Sequence, residues 1–298
     1  MHIAITGASG MVGTALSASL RAAGHRVTPI SRRHTPGVVS WNPERGEIDA
    51  AGLAGVEAAV HLAGENLAAG RWTDALKERI RASRVQGTQL LSATLAGLSP
   101  APRVLVSVSA IGYYGYQHGD EWLDETTPGG SDFLARLCAD WEGAADPARA
   151  AGIRVVHPRI GLILSPNGGA LAKMLPPFRL GVGGPLGSGA QWMSWLAIDD
   201  VIGGITHALD DAALAGPVNF AAPDPVRNAE FTRILASVIH RPAILPVPAP
   251  VLRLIFGEMA DMTLLASLRI SSSRLVGSGF TFRYPELRGA LEHLLVSH

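Results

Sequence analysis

The chain has 298 residues, 47% hydrophobic and 17% charged, which suits a globular protein with a large core in one extended domain or two and excludes a disordered or fibrous class. Lys plus Arg and Asp plus Glu balance at 25 each, so no net field recruits nucleic acid or an anionic membrane. The lone Cys138 excludes an internal disulfide and a cysteine-rich metal site; with no signal region ahead of a first strand at residue 2, a cytoplasmic protein is expected.

The chain opens with a β-rich run at 2–6, a glycine turn, and a helix over 11–23 carrying Val12, Leu16 and Leu20 on one face. Further strands are expected at 26–32 and 57–64. A long amphipathic helix follows over 73–98, then a strand at 103–110. A helix at 131–151 has Ser131 or Asp132 as its N-cap and Pro147 as a flaw, and leads into a strand at 153–164. This alternation predicts a doubly wound α/β fold of Rossmann type with a parallel sheet.

The later third is different. Residues 167–189 are dense in glycine and proline, and a helix at 228–239 lies among breakers. The apolar stretch 243–256 carries Pro246, Pro248 and Pro250 and is too short to span a membrane. Helical turns near 250–268 and a last helix near 285–296 complete a small, mostly helical lobe. The expected division is a Rossmann domain over 1–222, with a substrate-lobe insertion around 165–192, and a C-terminal lobe over 223–298.

The turn itself reads ITGASGMVG, with Gly7, Gly10 and Gly13 spaced by three. A strand that runs through such a turn into a helix aims free backbone N–H groups at one point and suits a pyrophosphate. Gly7 permits the turn, Gly10 admits the phosphates, and Gly13 lets the helix pack closely; Ser9, Met11 and Val12 complete the cradle. At the end of the second strand stand Ser31, Arg32 and Arg33 rather than a carboxylate, which favours a 2′-phosphate and hence NADP(H) over NAD(H).

The glycine spacing, HLAGEN at 61–66, SVSAIGYYG at 107–115 and WLAIDDV at 195–201 together resemble the extended, atypical short-chain dehydrogenase/reductase superfamily, in its NAD-dependent epimerase-like branch. The segments HLAGENLAAGRW, DFLARLCADWE, GGPLGSGAQWMSWLAIDDV and GSGFTFRYPELRGAL resemble a subgroup sometimes labelled cell-division inhibitors, with a C-terminal domain of unknown function. Nothing in the residues argues for a cell-division role. The resemblance implies that Gly7, Gly10 and Gly13 hold the pyrophosphate, that Ser31 and Arg32 meet the 2′-phosphate, and that Leu62, Ala63 and Gly64 pass beside the adenosine and its phosphates. Arg84 stands where many members have an asparagine; it either reaches the cofactor or is a surface helix arginine. Arg159 is carried to the cofactor's nicotinamide side, and Ser107 to the cofactor.

The superfamily's hydride chemistry uses a Tyr-x-x-x-Lys pair, in which the phenol exchanges a proton with substrate. Here aligning on Glu142 puts Leu134 and Cys138 at that pair; aligning on the aromatic puts Phe133 and Leu137 there. Ser109 matches the residue that holds the substrate oxygen, with Ser107 as its alternative. Tyr113 and Tyr114 are the phenols near it, reading either as a substitute acid or as packing around the nicotinamide.

Cys138 lacks a cationic partner at fixed spacing and reads as a small buried hydrophobe, and His118 lies in a loop within reach of a substrate. Phe178, Arg179, Gln191, Trp192 and Trp195 are expected either to line an apolar pocket or to pack between lobes. Asp199 and Asp200 read as the N-cap and first turn of a helix. No spacing suggests a metal site. The expectation is a monomeric or homodimeric NADP(H)-binding oxidoreductase or epimerase acting on a small molecule. The alternative is a non-catalytic NADP(H) sensor that reports to a protein partner.

Overall fold

The computed structural model describes residues 1–33 and 35–296. Strand β1 (His2–Thr6) passes into helix α1 (Met11–Ala22), followed by β2 (Arg26–Ser31), β3 (Val39–Asn42), β4 (Glu47–Ile48) and β5 (Ala58–His61). Helix α2 (Asp74–Ala96) precedes β6 (Val104–Ser107), β7 (Ser109–Ala110) and β8 (Gln117–Leu123). Then come α3 (Phe133–Gly143), α4 (Asp146–Ala150), β9 (Arg154–Ile160), β10 (Leu162–Leu164) and α5 (Gly169–Arg179). The chain continues through β11 (Trp192–Met193), β12 (Trp195–Ala197), α6 (Ile198–Asp210), β13 (Gly216–Phe220) and β14 (Val226–Arg227). Helices α7 (Asn228–Val238) and α8 (Ala249–Phe256), a π turn at Ala260–Leu264, β15 (Ser267–Ile270), α9 (Ser273–Gly277) and α10 (Leu287–Val296) finish it.

The central sheet runs β13-β9-β6-β5-β1-β2-β3-β4, with β7 beside β9. Its pairings are parallel except at β3–β4. From β1 the chain builds outward through β2 and β3, then returns to β5 on the other side of β1. That reversal opens a crevice at the carboxyl ends of β1 and β5, where this architecture binds ligands.

Every residue of β1 is buried, as in a strand covered on both faces. Ile3, Ile5, Val60 and Val106 pack with Leu16 and Leu20 of α1 and Val201 and Ile205 of α6. Ala4, Ala59 and Leu105 point the other way, toward Leu91 and Leu95 of α2. Each fully buried leucine of this kind contributes roughly 2 kcal/mol. A separate core joins Leu171 and Leu175 of α5, Phe231 and Leu235 of α7, and Leu291 of α10.

The structure is the doubly wound α/β fold expected, with several local corrections. The helix expected over 131–151 is two: Asp132 caps α3 by accepting from Ala135 N–H, and Pro147 sits in the first turn of α4, where a missing N–H costs nothing. The glycine- and proline-dense segment contains α5, eleven residues long with Pro176 and Pro177 inside it, which breaker content hid. Asp199 and Asp200 lie in the first turn of α6, but the N-cap is Ala197; Asp200 instead accepts the N–H groups of Arg283 and Tyr284 and ties α6 to the chain ahead of α10.

Candidate functional site

The turn after β1 needs glycine at its first position. Gly7 has φ +66°, and a Cβ there would come within 2.9 Å of the Leu62 carbonyl carbon. Gly10 N–H bonds the Gly7 carbonyl at 2.9 Å, and Gly10 caps α1 without a side-chain hydrogen bond. The first-turn N–H groups of Met11, Val12 and Gly13 have no intrahelical acceptor and form the positive end of the helix. Ser9 and Gly10 are exposed at the tip. The chain ahead of α5 closes one side, since Met11 Sδ lies 3.1 Å from the position of a Cβ on Gly168.

Thr6, which sequence reasoning missed, joins the two walls of the crevice. Its Oγ1 accepts the N–H groups of Leu62 at 3.1 Å and Ala63 at 3.2 Å and lies 2.7 Å from His61 Nδ1. With both amides donating to Oγ1, the hydroxyl proton goes to Nδ1, and the His61 proton therefore sits on Nε2. Burial, then Arg84, pushes the His61 pKa down to about 3, so the ring is neutral. A hydroxyl as the last residue of a buried strand was the available signal.

At the end of β2, Ser31 Oγ accepts the N–H of Arg33 at 3.1 Å. Arg32 and Arg33 are exposed, and neither is paired with a carboxylate among the described residues. On the other side of β1, Gly64 is exposed and abuts the Arg84 guanidinium. Arg84 is 8% exposed, so it is not a surface helix arginine.

Beyond β6 the expected catalytic residues join a buried network. Ser109 Oγ donates to Glu142 Oε1 at 2.8 Å; Arg159 grips the same carboxylate through Nε at 2.8 Å and Nη2 at 2.9 Å. Arg159 Nη1 donates to Tyr114 Oη at 3.2 Å, and that hydroxyl donates to Asn219 Oδ1 at 2.7 Å. Burial pushes the Tyr114 pKa up to about 12. Tyr114 and Arg159 are both buried in this network. Tyr113 is half-buried; its ring covers the Arg159 guanidinium at 3.4 Å. Ser107 is buried, and its hydroxyl has no partner among the described residues.

The helix expected to carry Tyr-x-x-x-Lys holds Leu134 and Cys138, both buried; burial pushes the Cys138 thiol up to about 12. His118 Nε2 contacts the Tyr114 carbonyl oxygen at 2.6 Å. The aromatic pocket does not assemble: Trp195 and Phe178 belong to the second core, while Trp192 lies between Arg227 and Arg269 with Nε1 on Asp120. Glu142 and Asn219, which hold the network together, were not singled out as functional from the sequence. Among the described residues, no helix is long and apolar enough to cross a membrane.

A parallel sheet with its switch at β1/β5, a glycine turn feeding a helix N-terminus, and two free arginines at the end of β2 define a dinucleotide-binding protein of the Rossmann type. Residues 3–220 match the NAD dependent epimerase/dehydratase family and residues 247–294 match a domain of unknown function, DUF1731. The chain belongs to the NAD dependent epimerase/dehydratase family, within the short-chain dehydrogenase/reductase superfamily. It is 44% identical over 291 residues to epimerase family protein Mb2239 of Mycobacterium bovis, covering 97% of this chain and 96% of that one. It is 38% identical over 300 residues to human epimerase family protein SDR39U1, covering 99% and 100%. The crystal structure of human SDR39U1 (isoform 2) with NADPH superposes with a TM-score of 0.91 at 36% identity, covering 99% of both chains. A structure described as a nucleoside-diphosphate sugar epimerase from Corynebacterium glutamicum gives 0.82 at 38% identity, covering 99% of this chain and 58% of that one.

Proposed function

We propose that this chain binds NADP(H) in the β1/β5 crevice and acts as an oxidoreductase or epimerase on a small molecule. The observation that carries this reading is the pair of exposed guanidiniums of Arg32 and Arg33, with Ser31, at the carboxyl end of β2, where among the described residues no carboxylate pairs with them or competes for a 2′-phosphate. The human relative crystallised with NADPH supports it.

The residues present fit the group. Gly7, Ser9, Gly10, Met11, Val12 and Gly13 would line the diphosphate, which would meet the free first-turn N–H groups of α1 while the Gly10 N–H stays on the Gly7 carbonyl. Leu62, Ala63 and Gly64 would form the floor, with Ser107 and Ser109 beyond it toward the nicotinamide. When bound, the cofactor supplies a hydride donor or acceptor. Tyr113 is the accessible phenol for proton exchange, with the Arg159 guanidinium against its ring. The single buried cysteine suits a reducing compartment, the cytoplasm. Residues 223–298 are proposed as the lobe that shapes the substrate pocket.

One observation favours a second reading, a non-catalytic NADP(H) sensor: the two buried, non-ionised side chains Leu134 and Cys138 on α3. Incubating the purified protein and NADPH with a panel of carbonyl and sugar-nucleotide substrates distinguishes them. Substrate-dependent loss of NADPH absorbance, or conversion of a sugar nucleotide to its epimer with NADP+ resolved by chromatography, that Tyr113→Phe lowers supports the enzyme; neither change across the panel with intact NADPH binding supports the sensor.

A further inference from the structure

The net charge of the chain is zero, yet its charges are not evenly placed. Residues 147–198 and 231–257 contain no Asp or Glu, and the two segments meet where α5 and α7 leave the second core. The turn after α7 puts His240 at φ +53°, with its N–H on the Ser237 carbonyl and the Arg241 N–H on the Ala236 carbonyl. That reversal lays the chain from Arg241 to Val247 beside 179–187. Arg241 Nε donates to the Arg179 carbonyl oxygen at 3.0 Å, Leu245 N–H to that of Gly183 at 3.3 Å, and Val247 N–H to that of Pro185 at 2.9 Å.

Two kinds of side chain stand out from this corner. Leu180 and Ile244 are 78% and 77% exposed, and Val182 and Leu245 are half-exposed beside them. Aliphatic side chains gathered on two hydrogen-bonded loops mark a contact surface, unlike single leucines scattered over a protein. Next to them a cleft of about 480 Å³ is lined by Arg179, Val238, Ile239, Arg241, Leu295 and Val296. The Arg179 guanidinium has no hydrogen bond among the described residues, and Arg241 keeps Nη2 free after Nη1 reaches the His240 carbonyl. Neither arginine pairs with a carboxylate among the described residues, nor does exposed Lys173, two turns before Leu180 on α5.

Charge and side-chain type select the occupant. A second copy of the chain would bring the same patch, and so like charges, face to face. A protein partner is gripped mainly by aromatic anchors, and residues 179–190 and 239–255 hold no Phe, Trp or Tyr. Protruding aliphatic side chains flanked by cations match a bilayer of anionic lipids, whose acyl region takes the former and whose phosphates meet the latter. We propose that this corner is a peripheral docking surface for an anionic phospholipid bilayer. Leu180 and Ile244 enter the acyl region of one leaflet, and Arg179 and Arg241 receive lipid phosphates at the cleft. None of these four residues belongs to the β1/β5 crevice, and the assignment does not depend on the cofactor reading.

The test is flotation of the purified full chain with two kinds of vesicle at about 0.1 M salt: phosphatidylcholine alone, and phosphatidylcholine with about a third phosphatidylserine. Wild type is expected to bind the mixed vesicles at least about tenfold more tightly than the neutral ones. Arg179→Gln and Arg241→Gln each weaken that binding roughly fivefold, as expected for one cation at an anionic surface. The double variant Leu180→Ser/Ile244→Ser weakens it at least about tenfold and keeps the wild-type melting temperature, because both side chains are exposed. Thermal melts check every variant, and the arginine variants carry the test if the serine variant is unfolded. Equal affinity for the two vesicles, or binding that neither set of variants changes, overturns the proposal. Wild type that floats with neither vesicle overturns it in favour of a protein partner. A concentration-dependent dimer in sedimentation without lipid, dissolved by Leu180→Ser/Ile244→Ser, overturns it in favour of a second copy.

Discussion

Gly13 rests on Gly7: a Cβ at Gly13 would lie 2.1 Å from the Gly7 carbonyl oxygen and 2.7 Å from Ala8 Cα, so the first turn of α1 packs directly on the loop that feeds it. Gly10 is different, since a Cβ there meets only the Gly7 oxygen, at 3.3 Å, and otherwise faces the crevice. Gly13→Ala is expected to cost about 3 kcal/mol, because backbone must move to accommodate it. Gly10→Val is expected to keep a cooperative melt close to wild type while abolishing dinucleotide binding by steric exclusion. Denaturant midpoints and calorimetry on the two variants check the contrast.

Arg32 is expected to determine the choice of cofactor. Arg32→Ala removes an exposed guanidinium at the β2 end and is predicted to weaken NADPH by at least about tenfold, with NADH changed little, because only NADPH carries the 2′-phosphate. Equal weakening of both would place the 2′-phosphate elsewhere.

Glu142 and Arg159 form a bidentate pair with exposures of 12% and 3%, and the same carboxylate accepts from Ser109. Glu142→Gln leaves the Arg159 cation buried without its partner and is predicted to lower stability by about 3 kcal/mol, measured in urea. Arg159 in turn supports the Tyr113 ring, so the variant is also expected to lower any turnover.

Two buried histidines set an acid limb. Burial holds His61 at about 3 and His157 at about 4, against 6.5 in an unfolded chain. His157 is fixed as the neutral ring because Nδ1 lies 3.0 Å from the Ser107 carbonyl and Nε2 faces the Arg149 guanidinium. Between about pH 6.5 and 4 the unfolded chain binds two protons that the folded chain does not. Their contribution to stability is therefore complete above pH 6.5 and falls with decreasing pH, by roughly 1 kcal/mol per pH unit for each ring. His61→Asn and His157→Asn each halve that slope in a urea series from pH 7 to pH 4; a slope unchanged in both contradicts the assignment.

The cofactor half of the site was legible because its signals are local. Gly7, Gly10 and Gly13 sit within one turn, and Arg32 directly follows a strand, so period and spacing sufficed. The reaction half was not, because it depends on contacts across the fold. Tyr114 turns inward to Asn219, 105 residues away in sequence, and Arg84 loses its surface role only once Trp141 and Gly64 close around it. Helix α5 was hidden by Pro176 and Pro177, because packing of Leu171, Leu175 and Phe178 in the second core outweighs the breakers.

The central claim is that the crevice between β1 and β5 binds NADP(H), and titration of the purified protein with NADPH and NADH by calorimetry, after removal of any nucleotide that copurifies, tests it most directly. The account predicts one site per chain, with NADPH bound at least about tenfold tighter than NADH, the difference set by the arginines at the end of β2. Equal affinity for the two, or binding of neither, would contradict it.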